Sequence, residues 1–545
     1  MKRHFLLRAT ESIENQSFSL ASFAASFFAL IFARLLIENA LGLFREKTFF
    51  YFFAEFTHTA LFFLCAFLLL LQGVRFVVRI DFSKVVNVVF FGLLIILTPP
   101  IIDTVIFRGN NFWSFYEFDG FLGLLKRYVT LFGDTPSMGI TYGVRAEVVL
   151  VTLAIGYYTF LKSRRMTKAL LASLIVYTIL FVLGTFPSWL TLVVLTFQKS
   201  FWAINQNDVA GLFLSPENIF ARNLTDFRSV LNAKMSIIYG ALAIFLIGVT
   251  LWKEFPRYFN ALWKNARLPQ IVYHAGLLLL GAVLAFLFTE AQLNLDIFHL
   301  GAMFVLLAGV ESAWLASVIV NDFCDTRIDK ESNPARPLVT NSIPPELYRT
   351  LGALFFVASL ILSGIVSFSA TLLLLGYQAL AWLYSVPPFR LKRFPIIATA
   401  LSAFASLLIF MAGFLMVAPA NGLSALPLPL IFFLCVAYTS VLPLKDFKDI
   451  RGDALDGVYT IPVLLGAERA KLLLGGLIFL LYIISPVILS TRVLFGPALF
   501  FGSLAFWVLQ KSTAPATDFF SYRKLPGTEL ALAVLYGSVI VYLLF

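Results

Sequence analysis

Apolar positions along this chain come in long runs parted by short polar stretches. Runs near 18–42, 50–72, 85–107, 146–162, 167–187 and 234–252 each suffice to cross a bilayer, since a span takes about 20 apolar residues. KEFPRYFNALWKNARLPQ, beginning at Lys253, then brings basic, aromatic and proline positions with no span in them. Nine further runs follow, near 270–289, 299–320, 349–367, 370–386, 395–417, 426–444, 472–490, 494–510 and 527–545. The pattern predicts an all-α polytopic membrane protein in three stretches: about six transmembrane helices in 1–253, a basic linker at 254–269, and a nine-helix bundle in 270–545. SWLTLVVLTF (188–197) is too short to span and reads as a re-entrant or interfacial helix. The basic start MKRHFLLR resembles the opening of a signal peptide, but the run at 18–42 is too long for one, so it is read as a retained first span.

Composition agrees. Hydrophobic residues make up 60% of the 545 and charged residues 13%, against about 45–50% and 25% in soluble domains. This balance excludes a secreted enzyme, a disordered chain and a nucleic-acid binder, even with a net charge of +11. Lys and Arg gather on cytoplasmic loops of membrane proteins. With the N-terminus inside, the cytoplasmic loops include Arg75/Arg79/Lys84, Lys162/Arg164/Arg165/Lys168, the linker, and 321–348, 387–394, 445–471 and 511–526. The outer loops of the C-terminal half then hold only Arg492, whereas the longer outer segments 108–145 and 187–233 carry Arg108, Lys126, Arg127, Lys199, Arg222 and Arg228. An integral protein of a bacterial or archaeal plasma membrane is expected. Three scattered cysteines give no disulfide framework, and the four histidines have no zinc spacing.

Chemistry concentrates at two span ends. NDFCDTRIDKESNPARPLVTN follows Val320, and LKDFKDIRGDALDGVYTIPVLLG begins at Leu444. Asp322, Asp325 and Asp329 stand at i, i+3 and i+7, and Asp446, Asp449 and Asp453 repeat that spacing. On a helix such positions lie within about 60° of one another, on one face. Two carboxylates ~6 Å apart repel by roughly 3 kcal/mol at an effective dielectric near 20, so the stripes call for a cation. Hard oxygen ligands select Mg²⁺, which binds through carboxylates plus substrate phosphates. Arg327, Arg336, Lys445 and Lys448 would complete the neutralisation around a diphosphate. The alternative is that these are solvated charges at span ends.

These motifs resemble those of the UbiA superfamily of intramembrane prenyltransferases: NDxxDxxxD with NPxRPL, KDxxDxxGD with GVYTIPVLLG, and YSxPPxRLKR as Tyr384–Arg393. The resemblance covers about 265–545 and implies a UbiA-like nine-helix bundle. It also implies that Asn321, Asp322, Asp325, Asp329, Asp446, Asp449 and Asp453 bind Mg²⁺ and diphosphate, that Arg336 and Lys392 contact diphosphate, and that Tyr384 is the tyrosine preceding that loop. This chain has RPLVTNS where many members have RPxPSG, so the loop lacks that glycine.

The activity expected is Mg²⁺-dependent transfer of a polyprenyl group from its diphosphate to an aromatic or lipid acceptor. Metal and cations would stabilise the departing diphosphate, and a closed cavity would shield the allylic cation from water. Tyr384, Trp382 or Phe389 would stabilise that cation by cation–π contact. A second-motif aspartate, Asp446 or Asp449, would take the acceptor's proton, with nothing in the sequence singling one out. Two rivals remain: phosphoribosyl transfer to a polyprenyl phosphate, and an ion-coupled transporter or flippase, whose charges belong nearer the midplane. Glu311 precedes Asp322 by eleven residues, about 20° away on the wheel and ~16 Å deeper. It is expected either to face the cavity and position the acceptor or to bond a neighbouring helix.

Residues 1–253 carry no motif. Arg34, Glu38, Glu55, His58, Asp103, Arg145 and Glu147 lie near the outer ends of spans, where they either gather into one polar site or form local ion pairs.

Overall fold

The computed structural model describes residues 2–544 except 42–48, 108–115, 134–138, 216, 220–221, 225, 290–295, 327–328, 331–332, 419–421, 449, 456–458 and 516–517. All fifteen apolar runs are helical. Fourteen helices among the described residues are long and apolar enough to cross a membrane, and the protein is an integral membrane protein. The remaining run forms Phe368–Ser385, in which Tyr377, Gln378 and Tyr384 replace aliphatic positions. Gln378 is buried there and donates to Ser359 Oγ at 2.8 Å, the kind of interhelical bond that makes a polar residue tolerable inside a bundle. The suspected short helix is Phe186–Leu195, and a small pair of strands, Glu217–Ile219 and Arg222–Leu224, is the only sheet among the described residues.

Contacts divide the chain into two units, 1–219 with 223–256, and 257–545 with 220–222. The segment read as a linker is largely the helix Pro256–Ala266.

In the N-terminal unit, the span Phe82–Ile106 is broken. Its helix ends at Gly92, continues as a 3₁₀ turn over Leu93–Leu97, and restarts with Pro99 and Pro100 in the first turn. Proline donates no N–H, so carbonyls before it lose their helical partners. The Ile96 carbonyl instead accepts from Arg34 Nη1 at 2.7 Å, and the same nitrogen pairs with Glu147 at 3.4 Å. Arg34, Glu38, Glu55, His58 and Glu147 all line one cavity of about 200 Å³, so five of the seven outer polar residues do gather. The other two serve the backbone: Asp103 accepts from the Gly143 N–H at 2.7 Å, and Arg145 donates to the Gly133 carbonyl at 2.6 Å.

In the C-terminal unit, Ile297–Cys324 packs on Pro345–Val366, Leu268–Phe288 on Pro395–Val417, and Ala467–Ile488 on Phe495–Lys511. The second pairing is close because of two glycines. A Cβ on Gly281 would meet the Phe410 carbonyl at 2.1 Å, and one on Gly413 the Leu278 carbonyl at 2.1 Å, so small residues set the helix separation. Phe410 and Phe414 fill the core beside them with Leu284 and Leu407. Helix starts are locally coded: Asp296 caps Ile297–Cys324 by accepting from the His299 N–H at 2.8 Å, and Ser367 caps Phe368–Ser385 through the Ala370 N–H at 3.0 Å.

Candidate functional site

The helices of the C-terminal unit enclose a cavity of about 1970 Å³. Its walls are mostly apolar, and its charges collect at one end.

Asp325 anchors that end. The helix stops at Cys324, Asp325 is its C-cap, and the Asp325 N–H bonds the Asn321 carbonyl at 2.9 Å. Its Oδ1 accepts from Arg390 Nη2 at 2.8 Å, and its Oδ2 pairs with Lys392 Nζ. Lys392 also donates to Asn321 Oδ1 at 3.2 Å, as does Ser385 Oγ at 3.0 Å. Burial pulls the Lys392 ammonium below the ordinary lysine range, and the neighbouring Asp325 carboxylate opposes the shift. Arg390 is placed by a left-handed backbone, φ 41°, just after the two prolines.

Asp322 and Asp329 lie on a different side. Asp322 Oδ2 accepts from Tyr348 Oη at 2.7 Å and Asn265 Nδ2 at 3.3 Å. Its Oδ1 is 3.3 Å from Arg336 Nη1, whose Nε is 4.0 Å from Asp329 Oδ1. Burial pushes the Asp329 carboxyl above the usual range, with Arg336 opposing. The expected single-faced stripe is therefore split: Asp325 lines the cavity, whereas Asp322 and Asp329 do not. Backbone bonds from the Asp325 N–H to the Asn321 carbonyl and from the Asp329 N–H to the Asp325 carbonyl, both 2.9 Å, carry the helical pattern past Cys324, and on a helix Asp322 and Asp329 lie about 20° apart with Asp325 about 60° away.

Lys445, Asp446 and Asp453 line the same cavity. Their stripe is not one α-helix, because Leu442–Lys448 is a 3₁₀ segment containing Pro443 and a separate short helix begins at Ile450. Lys448 is exposed and does not line the cavity. Arg327 and Asp449 lie outside the described residues. Of the three aromatics considered for the allylic cation, Tyr384 lines the cavity, while Trp382 and Phe389 are 53% and 60% exposed and line no part of it. Their places flank the loop rather than face inward.

Glu311 does not line the cavity. Its Oε1 bonds His274 Nδ1 at 2.7 Å, and His274 does line it, held on its other side by Gln270 at 2.9 Å. Asn265, His274, Tyr348 and Arg390 are the site residues that spacing did not reveal. Arg390 stands in the quoted YSxPPxRLKR pattern, but the others reach the site from helices far away in sequence.

Among the described residues, no three His, Cys, Asp or Glu side chains are grouped to hold a metal as they stand; Arg390 and Lys392 pair with Asp325, and Arg336 with Asp322 and Asp329. The donor chemistry nevertheless suits a hard dication: every candidate ligand is an oxygen, and the buried Asp322 Oδ1 and Asp329 Oδ2 have no hydrogen-bond partner.

Fold and site thus define a helical membrane protein with a large apolar cavity and a charged end. Residues 275–522 match the model of the UbiA prenyltransferase family. Over 156 residues, 28% of this chain and 53% of the relative, it is 28% identical to a digeranylgeranylglyceryl phosphate synthase of Pyrococcus abyssi. It is 31% identical over 159 residues, 28% of this chain and 51% of the relative, to the bacteriochlorophyll synthase 33 kDa chain of Cereibacter sphaeroides. A probable chloroplastic homogentisate phytyltransferase 2 of Oryza sativa subsp. japonica is 30% identical over 171 residues, 30% of this chain and 45% of the relative. The chain thus spans about half the length of these relatives. A solved UbiA homolog from Archaeoglobus fulgidus, bound to GPP and Mg²⁺, aligns with 52% of this chain and 99% of its own at 20% identity and a TM-score of 0.40.

Proposed function

We propose that the C-terminal unit transfers a polyprenyl group from its diphosphate to an aromatic or lipid acceptor, with Mg²⁺ and with release of diphosphate. One observation carries this reading: Asn321, Asp325, Lys392 and Arg390 stand with Lys445, Asp446 and Asp453 at the charged end of one apolar cavity of about 1970 Å³. Small-molecule pockets usually measure about 300–1,000 Å³, so this one has room for a long isoprenoid beside an acceptor.

The residues divide the work. Lys392, Arg390, Lys445 and Arg336, all of which line the cavity, bind the donor's anionic oxygens, and Arg336 also pairs with Asp322 and Asp329. As the bond between C1 and oxygen breaks, its electron pair stays on the diphosphate, where these cations stabilise it. Asn321, Asp322, Asp325 and Asp329, with Asp446, Asp453 and by family resemblance Asp449, would hold Mg²⁺. When bound, the metal supplies charge neutralisation at the leaving group. Tyr384 and the apolar walls keep water from the allylic cation. Glu311 acts through His274, which it orients toward the acceptor. The Lys- and Arg-rich loops beside the charged end support a cytoplasmic face for it.

The test is transfer itself. Full-length protein incubated with labelled geranylgeranyl diphosphate, Mg²⁺ and a panel of aromatic and lipid acceptors is expected to move label into an acceptor product. Label remaining in the donor across the whole panel would count against the reading.

A further inference from the structure

Glu529 is a buried acid that the chemistry above does not use. It is 4% exposed, lies one turn into the helix Leu525–Leu544, and lines the large cavity. Its Oε1 has no hydrogen-bond partner. The nearby hydroxyls do not supply one: Ser485 Oγ and Tyr536 Oη bond each other at 2.5 Å, and the Tyr482 ring lies edge-on to that of Tyr536 with 5.1 Å between centroids. Leu525 and Leu532, at i−4 and i+3 from Glu529, pack in one cluster with Leu444 and Phe447. Those two residues flank Lys445 and Asp446 in sequence, so the helix face bearing the carboxyl adjoins the segment assigned to diphosphate. An ionisable side chain in a spanning helix is costly, and more so without a partner. The surrounding cluster is aliphatic and aromatic, and its packing would be served better by Leu or Met.

We propose that Glu529 marks the acceptor subsite and receives the proton of a neutral, hydroxyl-bearing amphiphile. The proposal rests on the prenyl-transfer reading. A hydroxyl supplies the donor that the carboxyl lacks, whereas an anionic headgroup would be repelled by it. In the step, the acceptor oxygen forms a bond to C1 of the prenyl group, the bond from C1 to the diphosphate oxygen breaks with its electrons leaving on diphosphate, and the hydroxyl proton passes to Glu529.

Full-length protein in detergent is to be tested with 4-dodecylphenol and its methyl ether, alongside geranylgeranyl diphosphate binding. The wild type is expected to bind the phenol about tenfold more tightly than the ether. Glu529→Met is expected to reduce that preference below about twofold, to leave donor affinity within about twofold, and to melt no lower than the wild type, since it removes an unpartnered buried carboxyl. Glu529→Gln is expected to lower turnover about a hundredfold on any hydroxyl acceptor. A phenol preference that survives Glu529→Met, or that is missing in a wild type that binds donor, overturns the subsite alone. A wild type that binds no donor overturns the prenyl-transfer reading with it.

Discussion

The hydroxyl of Tyr348 donates to Oδ2 of Asp322 over 2.7 Å, and both side chains are buried. Asn265 reinforces the pair by donating to the same carboxylate oxygen at 3.3 Å and to Tyr348 Oη at 2.6 Å, while its own carbonyl accepts from Arg336 at 3.1 Å. Three helices thus fix one aspartate. Tyr348→Phe leaves the carboxylate short of a donor, which costs about 1–3 kcal/mol. A thermal melt should show the loss, and an unchanged melt would show that the bond contributes nothing to holding Asp322.

Lys392 and Arg390 converge on Asp325, but Lys448 does not line the cavity. Charge-assisted hydrogen bonds contribute about 1.5–3 kcal/mol each, which is a factor of roughly ten to a hundred in affinity. Lys392→Met should therefore weaken geranylgeranyl diphosphate binding by about that factor, and Lys448→Met by less than about twofold. Equal effects of the two substitutions would mean that diffuse charge, rather than the cavity rim, binds the donor.

The closeness of Leu268–Phe288 to Pro395–Val417 depends on Gly281 and Gly413. Alanine at either position puts a methyl group against backbone and should destabilise the protein by about 1–3 kcal/mol. Gly476 has nothing within 4 Å of its Cβ direction, so Gly476→Ala should be neutral or stabilising by up to about 1 kcal/mol. Melting temperatures of the three variants check the contrast.

In the N-terminal unit, Arg34 satisfies both the Ile96 carbonyl and Glu147. Arg34→Met strands a largely buried carboxylate, a loss on the order of 3–5 kcal/mol. The double variant Arg34→Met/Glu147→Met should recover much of it, and a double-mutant cycle on the melts measures the coupling.

Much of this architecture was legible in the chain. Span length and apolarity are local properties, so all fifteen runs are helical, the one at 85–107 in pieces. The motifs also named Asn321, Asp325, Lys392, Lys445, Asp446 and Asp453, which do meet at one cavity. Spacing is a poor guide in the second motif, where Leu442–Lys448 is a 3₁₀ turn and a separate helix begins at Ile450, so α-helical offsets do not carry from Asp446 to Asp453. Asn265, Tyr348 and His274 stayed hidden because their roles come from packing between distant segments, which no periodicity encodes.

Diphosphate release as a function of Mg²⁺ tests the central claim most directly. Full-length protein with geranylgeranyl diphosphate and an acceptor it prenylates should release diphosphate only when Mg²⁺ is present. Chelation should abolish the release, and Asp446→Asn should lower it at least tenfold. Release that ignores chelation and survives Asp446→Asn would contradict an oxygen-lined, metal-assisted diphosphate site at this end of the cavity.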